Sequence, residues 1–493
     1  MRSKGAAQAI LYPLAAFAVL VLPVLIFFWQ MDTIWVYVIA QALYFLTFLV
    51  VFYFLTRPVN WVGGDGKAVS LPEKIPLVIM AYPVLCEDKE TMHTTLLALS
   101  KIDYPKDKYK VIAIPNSSDS LTIAALKSLQ GEFAFLEILE VPPTADPSWG
   151  IVWKSWAKNP KAYWWHHGKN SYVRDLPPKK TRQLIYFFYT CYEKYGPDWI
   201  LDYIDADSIT PPSHFKLAAA GLQKYDILQS TNVVGNLLDT LSTSMHSFDH
   251  MTWDGMLYPH MSANGRHPFY VLGKGVFFKA GDLYELGGFH PWITIEDPEI
   301  GLRYWANKKK LGIIKDPLIE EVPQYFIPDG IVQRNRWMCG FFQSNSSPLK
   351  AMGIKFWQRQ LARLNMVPVM SLPINLIGIP SGIWALYLLL QGQHPYPLWV
   401  IILSIVNIIF YIGLMTAIYI NTWKWTAAVL KKKSSRIRYM ITVNPATLFV
   451  YWTFWTIPIL GGLFLFITGQ GKAWARTEKV DADRSLVENK TRS

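Results

Sequence analysis

Long uncharged runs restrict what this chain can fold into more than any other feature. Ala9 to Trp29 and Ile34 to Leu55 are nearly free of charge, and similar runs recur at Met366 to Leu390, Leu398 to Ile420 and Ala446 to Thr468. With a helical rise of about 1.5 Å per residue, each is about long enough to cross a hydrocarbon core of about 30 Å. Over 493 residues, 51% hydrophobic and 15% aromatic content is too apolar for an ordinary soluble chain. Arg2 and Lys4 precede the first run and no small-residue cleavage site follows it, so it reads as a retained anchor.

Between the runs lies a long segment, Asn60 to Pro328, with frequent charges, Pro and Gly, which must be water-soluble. The expected organisation is two transmembrane helices over 1–59, a soluble catalytic domain over 60–330, interfacial amphipathic helices over 331–365, transmembrane helices over 366–471 and a basic polar tail over 472–493. Short loops set the orientation: Gln30 to Thr33 and Gln391 to Pro397 carry no Lys or Arg, whereas Arg57, Lys67, Lys74 and Lys431 to Lys433 flank the other side. The soluble domain is therefore expected in the cytosol, on a multi-pass protein of the plasma (inner) membrane. The Pro- and Gly-interrupted stretch Asn444 to Gly471 could be re-entrant, because the basic tail beyond it conflicts with three C-terminal crossings. Cys86, Cys191 and Cys339 have no metal-binding spacing and suit a reducing compartment. Much of the net charge of +12 flanks the apolar runs, where anionic lipid is partner enough; no nucleic-acid motif accompanies it.

Inside the soluble segment, short apolar stretches alternate with helical ones. Ile75 to Met80, Lys110 to Ile114, Phe135 to Glu140 and Ile200 to Ile204 read as strands, with helices over Thr91 to Ser100, beyond Asp119 to Leu129, and around Gln183 to Tyr195. That order predicts a parallel sheet with right-handed crossovers. Asp226 to Thr231 and Lys308 to Ile314 add strands, and Pro298 to Trp305 a helix. The stretch from Asp146 to Arg174, rich in Trp, Lys and His, reads as packing or a substrate-side insertion. Polar groups collect where strands end. Tyr82-Pro83 with Glu87, Asn116 with Asp119, and Asp205-Ala206-Asp207 each follow a strand, and ligands of open α/β sheets settle at such ends. Two carboxylates one residue apart suit a hard divalent cation, although Asp207 could equally cap the next helix. Gly273-Lys274-Gly275 would let a backbone approach a ligand closely. Glu296-Asp297 stands just ahead of a helix, and Gln333-x-x-Arg336-Trp337 just before the third apolar run.

That ordered set, between N- and C-terminal spans, resembles the membrane-embedded members of glycosyltransferase family 2, the relatives of cellulose, hyaluronan and chitin synthases. Trp474 to Lys479 is similar to the Trp-x-Lys-Thr sequence after the last span of some bacterial relatives. The resemblance implies a GT-A-type, Rossmann-like α/β catalytic domain inserted between transmembrane helices, a nucleotide-diphosphate sugar donor, Mg²⁺ or Mn²⁺, and inversion at the anomeric carbon. On it, Asp205 and Asp207 hold the metal. Tyr82, Glu87, Asn116, Asp119 and Arg336 join them around the donor; Gln333, Trp337, Gly273, Lys274 and Gly275 face the acceptor; and Glu296 and Asp297 are catalytic, Asp297 as general base. The uracil-holding aspartate of relatives is replaced by Asn116 and the asparagine before Glu87 by Cys86. An amide can still bond a base, so a UDP-sugar remains the expected donor less strictly. The acceptor is expected to be a growing polysaccharide or oligosaccharide, or else a lipid phosphate; a transporter or scaffold with a degenerate transferase domain is the reading of another class. His246, His250, His260 and His267 match no compact metal spacing and are expected in core or surface roles.

Overall fold

The computed structural model describes residues 33–64, 69–163, 174–262, 267–393 and 396–469. The first apolar run, Ala9 to Trp29, and the basic tail 472–493 with its Trp474 to Lys479 segment lie outside the described residues.

Eight strands form one sheet in the order β1-β8-β6-β7-β5-β2-β3-β4. They are β1 (Trp61–Val62), β2 (Leu77–Tyr82), β3 (Tyr109–Ala113), β4 (Leu136–Ile138), β5 (Trp199–Tyr203), β6 (Ile227–Val234), β7 (Val276–Lys279) and β8 (Leu311–Glu320). All pair in parallel except β7, which runs antiparallel between β5 and β6. Helices α2 (Lys89–Ser100), α3 (Ser120–Gln130) and α4 (Lys180–Tyr195) follow β2, β3 and β4, as the alternation predicts. β8 runs six residues past the expected Ile314. Its partner β6 is long too, and the ladder resumes after an irregularity between Ser230 and Asn232, so pairing carries Lys315 to Pro317 along despite their polarity.

Apolar side chains fill both faces of the sheet. Trp149, Trp156, Phe187, Phe188 and Phe289 are buried on one side, Leu96, Leu99, Phe215 and Phe277 on the other. Trp149 packs on Tyr186 and Trp156 on Tyr189 of α4, with Trp153 between the two indoles, so part of the Trp-rich segment after Asp146 serves packing. One polar pair is enclosed in the sheet: Asp202 of β5 meets His214 at 2.9 Å, both fully buried. Burial raises the Asp202 carboxyl pKa, against the pull of His214.

Among the described residues, four helical stretches are long and apolar enough to cross a membrane: Trp35–Leu55, Val367–Leu390, Leu398–Ala428 and Pro445–Thr468. They contain α1 (Thr33–Leu55), α8 (Asn375–Leu390), α9 (Leu398–Trp425), and the pair α10 (Pro445–Phe454) and α11 (Thr456–Thr468), which meet at Trp455. Polar side chains join them where apolar surface provides little drive. Asn407 donates to the backbone and side-chain oxygens of Gln41 at 2.9 and 2.8 Å, and Tyr44 to Asn375 at 2.9 Å.

Within the segment expected to be interfacial, α7 (Ile331–Ser346) is enclosed rather than laid on a surface, whereas Phe356 and Trp357 beyond it are exposed. Glycines explain the close fit of α7 on α11. A Cβ at Gly461 would stand 2.5 Å from Asn335 Oδ1, and one at Gly462 would collide with Met338.

Candidate active site

Because β7 is reversed, its start lies at the same sheet edge as the ends of its parallel neighbours. The loops after β2 and β5, the loop before β7 and the end of β8 therefore converge. They border a cavity of about 450 Å³, closed on the remaining sides by α5 (Leu241–Thr252) with the π-helical turn Trp253–Leu257, by α6 (Asp297–Ala306) and α7, and by Met366, Val369 and Trp455 from the apolar segments.

Asp205 and Asp207 line this cavity together with Glu296, Asp297, Gln333, Arg336 and Trp337; Glu87, Gly273 and Lys274 line it too. Residues separated by more than 200 positions thus share one space. The turn carrying the two aspartates is held from beneath: the Ala206 carbonyl accepts from the Tyr82 hydroxyl and from Thr95 Oγ1, each at 2.8 Å. Tyr82 is fully buried and sets that turn instead of bordering the cavity.

Asn116 and Asp119 are also outside the lining. Asn116 Oδ1 accepts from Arg182 Nη2 at 2.5 Å in a buried contact. Asp119 caps α3 and accepts from the Cys86 backbone N–H at 2.6 Å, tying the β3 loop to the β2 loop. Burial acts to raise its carboxyl, but those hydrogen bonds prevail and hold it below its usual range. Gly275 is turned away as well. Its φ of +61° suits glycine, and a Cβ there would meet Leu318 at 2.5 Å and Ser230 at 2.9 Å. The loop before it is held by Gln229, which accepts from the Leu272 N–H at 2.7 Å and donates to the Lys274 carbonyl at 2.8 Å.

Lys180, the first residue of α4, is a site residue that motif reasoning missed. Its ammonium donates to Asp205 Oδ1 at 2.7 Å and to the Gly273 carbonyl at 2.6 Å. Burial alone would depress its pKa; attraction to Asp205, Glu296 and Asp297 outweighs that, and the net shift is upward. A basic residue opening a helix was the available signal. Asp297 moves further. Enclosed in the cavity wall and beside Glu296, its carboxyl is raised well above the ordinary carboxylate range, with Lys180 opposing. A Cβ at Gly273 would come within 3.4 Å of that carboxyl, so the loop lies directly against it. Burial lowers the Arg336 guanidinium while Asp205 acts the other way.

One histidine departs from the sequence expectation. His250 joins Asp254 and Glu320, with one ligand atom of each within 4.8 Å of the others. Spacing along the chain concealed this, because Glu320 arrives on β8. Two places in the cavity thus offer donors to a cation: the hard carboxylate oxygens of Asp205 and Asp207, which suit Mg²⁺ or Mn²⁺, and this mixed group.

A family model described as glycosyl transferase family group 2 matches residues 199–467. Among solved structures, the mannosyltransferase PcManGT from Pyrobaculum calidifontis, in complex with GDP-Man and Mn²⁺, aligns with a TM-score of 0.51 at 14% identity, covering 89% of this chain and 98% of that one. TarS 1–349 of S. aureus, in complex with UDP-GlcNAc, aligns with a TM-score of 0.30 at 11% identity, covering 65% and 93%. The first likeness bears on the fold, a GT-A-like α/β domain with apolar helices. No curated protein matches the chain.

Proposed function

The chain belongs to glycosyl transferase family group 2, and from that premise we propose that it is a membrane-bound, inverting transferase. It moves a sugar from a nucleotide-diphosphate donor to a polysaccharide or oligosaccharide acceptor, as the cellulose, hyaluronan and chitin synthases do. The observation that carries this reading is the meeting of Asp205, Asp207, Asp297 and Arg336 around one cavity walled partly by the apolar segments.

Asp207 and Asp205 would hold the donor's divalent cation, which when bound offsets the charge that develops on the departing diphosphate. Arg336 presents a planar fork to phosphate oxygens. Lys180 keeps Asp205 in place and supplies a positive charge near the leaving group. Asp297 accepts the proton of the acceptor hydroxyl as that oxygen attacks the anomeric carbon from the face opposite the diphosphate, so the centre inverts. Its raised pKa makes it a more avid proton acceptor once ionised than an ordinary carboxylate. Glu296 holds that pKa up by repulsion and is itself fixed by Thr181 Oγ1 at 3.4 Å. Trp337 and Gln333 would receive the acceptor sugar. With Arg57 and Lys431 to Lys433 at the domain side of their spans, the positive-inside tendency sets the catalytic domain in the cytosol of a plasma-membrane protein.

A UDP-sugar is the donor the resemblance favours, and Asn116, outside the cavity lining and bonded to Arg182, does not itself select the base. The test is full-length protein in detergent with a panel of nucleotide sugars, with and without Mn²⁺, following nucleoside diphosphate release and the anomeric configuration of the product by NMR. Metal-dependent release with an inverted product is expected; retention, or no release from any donor, would overturn the reading.

A further inference from the structure

Beyond Gly273, the cavity wall carries a second charged group that the transfer reaction leaves without a task. His250 lies in the last turn of α5, Asp254 one turn on in the π-helical segment, and Glu320 at the end of β8. All three are buried and all three line the cavity. Trp337 packs edge-on to the His250 ring at 5.9 Å, which sets the group on the acceptor side of the proposed site.

His250 Nδ1 is 3.4 Å from Asp254 Oδ2 and 3.3 Å from Glu320 Oε1. A proton on that nitrogen can serve one carboxylate but not both. The hydrogen bond goes to Asp254, and Glu320 Oε1, though close, is out of line and receives none among the described residues. A buried carboxylate oxygen with no donor is costly. Lys274 meets the other oxygen of Glu320, so the unserved one is aimed into the triangle. Asn232 Nδ2 reaches Asp254 Oδ2 at 3.4 Å and orients it.

Ligands bound at about 2.0–2.2 Å lie about 3.3–3.6 Å apart in tetrahedral geometry and about 2.8–3.1 Å apart at adjacent octahedral places. The two separations from Nδ1 match the tetrahedral spacing and exceed the octahedral one by a few tenths of an ångström. One imidazole nitrogen with two carboxylate oxygens suits a borderline ion such as Zn²⁺, and also Mn²⁺, a hard ion that takes an imidazole beside carboxylates more readily than Mg²⁺ or Ca²⁺ does.

We propose that His250, Asp254 and Glu320 bind a divalent cation on the acceptor side of the cavity, separate from the Asp205 and Asp207 position, with a coordination place open to an oxygen of the acceptor. The site stands on its own geometry; only its use for the acceptor rests on the transferase reading.

Mn²⁺ alone is the probe, added to the full-length protein in detergent without nucleotide and read by pulsed electron paramagnetic resonance. The donor position offers only oxygens, so coupling of manganese to an imidazole nitrogen reports the second site. Wild type is expected to show that coupling, Asp207→Asn to keep it, and His250→Ala to lose it. Glu320→Gln is expected to lower bound manganese by about one equivalent in equilibrium dialysis. No nitrogen coupling in wild type at saturating Mn²⁺, or coupling that survives His250→Ala, overturns the proposal. Donor turnover measured on the same preparation separates the two readings: nitrogen coupling without any turnover sinks the transferase reading and leaves the cation site standing.

Discussion

Arg334 and Arg336 leave α7 in different directions, one into a cage built by the apolar helices and one into a cavity built by the sheet. Arg334 is fully buried, stacked among Phe326, Trp337, Tyr451 and Trp455 at 5.1–5.8 Å from their ring centres. It donates to the Tyr451 hydroxyl at 2.7 Å and faces Asp249 at 3.9 Å. Arg336 instead borders the cavity and senses Asp205. The same side chain is thus a fastener at one position and a cavity-lining group two residues on. Trp337 belongs to both regions, touching Arg334 and His250. The lesson is that α7 couples the apolar helices to the site, so its cage residues bear on stability and its cavity residues on turnover.

The largest effect should fall on the cavity side. Asp297→Asn removes the proposed proton acceptor with almost no change of shape and is expected to lower kcat by about 10²–10⁴ while donor binding persists; single-turnover kinetics with titration of the nucleoside diphosphate check both halves. Next comes the cage. Arg334→Met removes the positive charge facing buried Asp249 and should cost about 3–5 kcal/mol of stability, read as a lower unfolding midpoint in detergent, with kcat per folded molecule preserved. A large fall in kcat at unchanged stability would break the division between the two regions. Arg336→Lys keeps the charge but loses the fork, for an expected loss of about 1.5–3 kcal/mol in kcat/KM and none in midpoint. The smallest concerns pH. If Asp297 is the base, as proposed, activity requires it ionised, and because its pKa lies above the ordinary carboxylate value the acid limb of kcat/KM should sit above about pH 4. Lys180→Met removes the opposing positive charge and should move that limb to higher pH; a shift to lower pH would contradict the pairing.

Much of this was legible in the sequence wherever a local pattern carries the physics. The run Ile34 to Leu55 and the short strand ending at Asp205-Ala206-Asp207 announce themselves by hydropathy, and the soluble domain follows from what lies between. The group Asp205, Asp207, Glu296, Asp297, Gln333, Arg336 and Trp337 was named from order along the chain and lines one cavity. What stayed hidden depends on which way a side chain turns. Tyr82, Asn116 and Asp119 sit at the expected strand ends, yet Tyr82 and Asp119 hold backbone of neighbouring loops and Asn116 meets the Arg182 side chain of α4, because a strand's alternation decides facing only to within one residue. Gly275 proved a turn residue for the same reason. Lys180 and Glu320 were missed because their partners are far away in sequence and nothing beside them marks their role.

The most direct measurement is a structure of the full chain with Mn²⁺ and the nucleoside diphosphate of its donor. It should find manganese on Asp207, phosphate oxygens on Arg336, and the Asp297 carboxyl across the cavity from the diphosphate with room for a hexose between them. Nucleotide bound away from Asp207, or Asp297 on the same side as the diphosphate, would contradict the account.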